Sequence, residues 1–109
     1  MARHEFGIMD RAPRSGETYL DYEPECYGCI SVDDELIEEV DRNTQHVKCF
    51  WHTVDRAEKG LAYCGITLIP PESLGEIMAA LGEENALAEL RALLDKAKRE
   101  GKFVIHFGL

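Results

Sequence analysis

Between Glu17 and Asp41 the chain has no lysine and no arginine. It places ten acids there: Glu17, Asp21, Glu23, Glu25, Asp33, Asp34, Glu35, Glu38, Glu39 and Asp41. Outside that stretch 12 bases face 11 acids, so the net charge of −9 comes from one quarter of the chain. Binding of nucleic acid requires clustered bases, and such a field repels phosphate, so no nucleic-acid partner is expected. Long apolar runs are also missing. None approaches the roughly 20 residues that cross a bilayer, so no membrane partner is expected either. The first residues, Met1 to Phe6, lack the apolar core of a signal peptide, which makes a cytoplasmic protein the expectation. In that compartment four cysteines are thiols or metal ligands before they are disulfides. No glycine-rich phosphate loop, nucleophile elbow or His-Glu-x-x-His occurs.

What is present suffices for one folded domain over residues 1–109. Hydrophobic residues make up 45% of the chain, too many for a disordered one. Arg3 to Met9 reads as a short strand, with Phe6 and Ile8 on one face. Asp10 to Tyr27 mixes acids with Tyr19, Leu20, Tyr22, Pro24 and Tyr27, and reads with the first strand as an N-terminal arm, residues 1–27, laid over a core of residues 28–109. Gly28 to Val32 predicts a strand. Asp33-Asp34-Glu35 then suits a helix start, because acids cap free N–H groups and complement the dipole. Leu36, Ile37 and Val40 form its buried face, and it ends near Asn43.

Residues 46–54 and 61–69 are rich in β-branched and aromatic side chains around a polar loop, which predicts one long hairpin. In its first strand Val47, Cys49 and Trp51 share the core face, while Lys48, Phe50 and His52 mark an edge strand. Pro70-Pro71 stops the second. Leu74, Ile77, Met78 and Leu81 make a helical stripe that ends at Gly82. A second helix follows over about 83–100, with Leu87, Leu90 and Leu94 inward and Gly101 as its cap. Residues 102–107 form a last strand. The fold class is therefore α+β, an antiparallel sheet with helices on one face. The order β-α-β-β-α-α-β matches the ferredoxin-like arrangement, with strands 28–32 and 61–69 central and 46–54 and 102–107 at the edges. That superfold carries no activity by itself.

Three readings of function follow. The first is a small interaction or regulatory module that presents Asp33, Asp34, Glu35, Glu38 and Glu39, with Tyr19 and Tyr22 as aromatic anchors, to a basic protein partner. Inhibition of that partner is one form of it, comparable on charge alone with acidic immunity proteins that neutralise nucleases. No cofactor is needed for this role, and an exposed edge strand over 46–54 would also allow a homodimer. The second is a zinc-binding domain built on Cys26-Tyr27-Gly28-Cys29 with two of Cys49, His52 and Cys64 completing four ligands. The third is a small enzyme or ligand-binding protein with a polar site at His52, Asp55, Arg56 and Tyr63, where a histidine beside an acid would act as a base and an arginine hold an anion. His4 and His106 stand alone in sequence and read as packing or surface residues.

Overall fold

The alternation His4, Phe6, Ile8 against Glu5 and Gly7 makes Arg3–Ile8 a true strand, β1, in a computed structural model that describes residues 2–109. The remaining elements are β2 (Ile30–Asp33), α1 (Asp34–Asn43), β3 (Lys48–Trp51), β4 (Ala57–Lys59), β5 (Ile66–Ile69), α2 (Leu74–Leu81), α3 (Ala88–Glu100) and β6 (Val104–Phe107). All six strands join one antiparallel sheet in the order β2-β1-β6-β5-β3-β4. Every residue of β5 and β6 is buried, as strands inside a sheet covered on both faces must be.

Helix ends follow the expected chemistry. Asp34 and Glu35 occupy the first turn of α1 and Arg42 its last, both favourable to the dipole. Gly82 and Gly101 terminate α2 and α3 at φ of 60° and 65°, a backbone region that costs a side-chain-bearing residue energy. Before α3 a short 3₁₀ turn, Asn85–Leu87, takes up the first residues assigned to that helix by sequence. The three helices cover one face of the sheet. Ile37, Val40, Leu74, Ile77, Leu90 and Leu94 meet Phe6, Val32, Cys49, Ile69 and Val104 there. The opposite face carries a smaller cluster of Met9, Ile66, Leu68, Ile105 and Phe107, covered by Tyr19 and Tyr27 of the irregular segment between β1 and β2.

Three expectations are corrected. The sheet does not follow the ferredoxin-like order, because β1 is inserted between β2 and β6 and pairs with both. This leaves β2 at one edge and draws β6 into the interior. The physical cause is the face His4, Phe6, Ile8, which needs a fully paired strand beneath the helices; only the segment after β1 serves as a cover. Nor do 46–54 and 61–69 form one hairpin. His52 adopts φ 65° and ends β3, a turn closes from Thr53 O to Arg56 N, and β4 folds back on β3. Gly60, at φ 81°, then releases the chain to cross over and pair as β5 on the other side of β3. Strand 46–54 is therefore internal, and the homodimer expected through it has no edge there. The free edges are β2 and the three-residue β4, whose Glu58 and Lys59 discourage further pairing.

Candidate functional site

At the end of the sheet where β1 begins and β6 ends, five side chains from five segments are tied into one chain of hydrogen bonds. His4 and His106 lie on neighbouring strands, fully buried, with rings stacked at 5.1 Å between centroids. His4 Nδ1 is 2.9 Å from His106 Nε2, and His4 Nε2 is 2.8 Å from Asp34 Oδ1. Thr67 Oγ1 lies 3.2 Å from His106 Nδ1 and accepts the Ala62 N–H at 2.8 Å. The Tyr63 hydroxyl donates to the same Asp34 oxygen, and its ring stands edge-on to His4 at 5.0 Å.

The proton positions follow from the partners. A carboxylate only accepts, so His4 Nε2 carries a proton and donates to Asp34. With neutral rings His4 Nδ1 is then a lone pair, which takes the His106 Nε2–H, and His106 Nδ1 takes the Thr67 O–H. One arrangement thus satisfies every group, as a buried polar cluster requires. The Tyr63 hydroxyl and then His4 hold the Asp34 carboxyl below the usual range, and the bond to Asp34 with burial raises the Tyr63 phenol. Burial, and then the neighbouring His4, push the His106 imidazole down. Asp34, with 20% of its side chain exposed, and half-buried Tyr63 are where this cluster reaches solvent.

Beside the cluster the outer surface of α1 is acidic. Glu35, Glu38 and Glu39 lie on the outer part of α1. Among the described residues they make no ion pair, whereas Glu17 pairs with Arg11, Asp33 with Arg3, Glu58 with Arg56 and Asp95 with Arg99. Leu20, Tyr22 and Leu109 are the large exposed hydrophobics, at 69%, 64% and 47%. Tyr22 packs edge-on against Phe107 at 5.6 Å and its hydroxyl donates to Glu5; Leu109 N–H bonds Tyr63 O at 2.9 Å. Between α1 and the end of α2 a cavity of about 320 Å³ has Leu36, Val40 and Leu87 as its floor and Glu39, Glu83 and Glu84 at its rim.

The other proposed sites are dispersed. The zinc set lies on two sides of the sheet: Cys49 is buried under the helices, Cys29 packs against the opposite cluster, and Cys26 and Cys64 are exposed. Among the described residues no three acids, histidines or cysteines converge to hold a metal ion. Burial pushes the thiols of Cys29 and Cys49 up to about 12. His52, Asp55, Arg56 and Tyr63 do not form one site either. His52 Nδ1–H donates to Tyr19 O at 3.1 Å, and Asp55 accepts the Ser15 hydroxyl at 2.6 Å and the Gly16 N–H at 2.7 Å, so both hold the covering segment. Arg56 binds Glu58 and stacks over Trp51 at 5.4 Å, while Tyr63 belongs to the histidine cluster. Of the acidic set, Asp34 is inside the cluster, Asp33 is neutralised by Arg3, and Tyr19 is half-buried against the second face.

His4 and His106 escaped the sequence reading because they are 102 residues apart and nothing local announces that β1 and β6 are neighbours. The one available signal was periodicity: each histidine falls on the apolar face of its strand, in phase with Phe6 and Val104. No family model, no curated protein and no solved structure matches the chain. No described helix is long and apolar enough to cross a membrane.

Proposed function

We propose that the protein is an acidic protein–protein interaction module, cytoplasmic, whose partner presents a basic surface. The observation that carries this reading is the outer face of α1, where Glu35, Glu38 and Glu39 stand exposed side by side and, among the described residues, make no ion pair. An unpaired acidic face speeds encounter with a basic partner and disfavours nucleic acid. Leu20 and Tyr22, exposed beside Asp21 and Glu23 on the segment that covers the other face of the sheet, offer a second, apolar point of contact. The glutamate-rimmed cavity beside Glu39 suits a lysine or arginine, with its stem on the leucines and its cation at the rim. Acting as an inhibitor of such a partner is one form of this function.

The test is affinity capture with the wild-type chain and with the triple variant Glu35→Lys, Glu38→Lys, Glu39→Lys, compared at low and high salt. These side chains contribute nothing to the core, so the variant keeps its circular dichroism spectrum. The expected result is a basic protein retained by the wild type at low salt, released by high salt and absent with the variant. Equal recovery by both chains contradicts the proposal.

A further inference from the structure

The histidine cluster has a property that its hydrogen bonds dictate. A neutral imidazole has one lone pair, and here both lone pairs are already occupied: His4 Nδ1 by His106, and His106 Nδ1 by Thr67. An added proton on His4 Nδ1 could be met only if the His106 proton moved to Nδ1, which would turn the Thr67 hydroxyl away from the ring. On His106 it would turn the Thr67 hydroxyl away from the ring and leave a cation with no exposed surface. Fully buried His106 therefore stays neutral in the closed cluster and lacks the proton it would take once opened.

The cover over it is thin. Leu61 to Gly65 is a loop held at its ends by hydrogen bonds: Gly108 N–H to Gly65 O at 2.7 Å, Leu109 N–H to Tyr63 O at 2.9 Å, and Ala62 N–H to Thr67 Oγ1 at 2.8 Å. Tyr63 of this loop lies across His4 and reaches Asp34 at the first turn of α1. Gly108 has no room for a side chain, because a Cβ there would collide with the Tyr63 carbonyl. The groups facing the pair are Asp34 and Asp41 from α1, Tyr63 from the loop, with Glu38 near that phenol, and Thr67 from β5. Arg3, beside His4 on β1, donates to Ser31 Oγ at 2.6 Å and pairs with Asp33. Its charge is thus already matched.

We propose that the Tyr63 loop and the first turn of α1 form a flap over the His4–His106 pair, and that acid releases it. Solvent reaches the rings by lifting of this flap, and protonation then prevents reclosure. The sign is fixed by the buried base: the closed state binds fewer protons than the open state once pH falls below about 6.5, the ordinary imidazole value. Closure is complete above that pH and weakens as pH drops. The device needs no partner, although the turn it frees belongs to the acidic face.

Amide hydrogen exchange of the full chain between pH 7 and pH 4.5, corrected for intrinsic rates, tests this. For each proton taken up on opening, protection of residues 61–65, 34–36 and 3–5 should fall by up to about tenfold per pH unit below 6.5. Protection in α3 and in Ile69 should fall less steeply. His106→Gln keeps a donor toward His4 but cannot titrate, and should flatten the slope at the flap; His46→Gln, at an exposed position, should leave it unchanged. A flat wild-type profile overturns the proposal. So does an equal slope in α3, which would mean global unfolding. If His106→Gln does not fold, the wild-type profile decides alone.

Discussion

The two faces of the sheet are covered by different means. On one, three helices bury a continuous apolar layer, and each is placed by a stripe of leucine, isoleucine or valine at helical spacing. On the other, an irregular segment without long helix or strand covers a smaller cluster with two tyrosines. Where that segment runs from Arg11 to Glu17, polar ties hold it. Glu17 takes the Arg11 guanidinium at 2.8 Å and the Arg14 N–H at 2.7 Å, which hold its carboxyl down to about 2. Asp55 takes Ser15 and Gly16, and Tyr19 exchanges bonds with His52 through N–H to O at 2.7 Å. The first cover is part of the core; the second is fastened to it. The lesson is that loss of a few hydrogen bonds should free one cover and leave the other intact.

The largest effect expected from this contrast is on the helical face. Leu94 is fully buried, and Leu94→Ala should cost about 2–5 kcal/mol in urea denaturation, by lost transfer energy and the cavity left behind. A smaller effect is expected at Asp55. Asp55→Ala removes two exposed hydrogen bonds to the covering segment and should cost only about 1 kcal/mol globally. It should nonetheless speed proteolysis between Arg11 and Glu17 severalfold without changing cleavage in α3. Equal acceleration at both places would erase the distinction between a core cover and a fastened one.

The same contrast decides how much was legible in the sequence. The helices were readable because Leu74, Ile77 and Leu81, or Leu90 and Leu94, repeat at 3.6 residues and carry their own start and stop signals. Residues 66–69 and 104–107 were readable as strands because every position but His106 is apolar or β-branched. Strand order was not readable. It depends on which distant strands pair, and the insertion of β1 beside β6 is decided by a fit between His4, Phe6, Ile8 and the helices that no local pattern encodes. The turn at His52 was hidden for another reason: a non-glycine residue at φ 65° looks extended in sequence, and it split one predicted hairpin into two pairings. The acidic face of α1 was legible from charge alone. Its neighbour, the histidine cluster, was not, since its members come from five separate segments.

The most direct measurement is the protonation state of His4 and His106 by ¹⁵N NMR of the imidazole nitrogens at pH 7. His106 is expected neutral with its proton on Nε2, the pattern that serves His4 Nδ1 and the Thr67 hydroxyl together. A proton on Nδ1 of His106, or a His106 imidazolium at that pH, would contradict the hydrogen-bond chain and with it the acid-released flap.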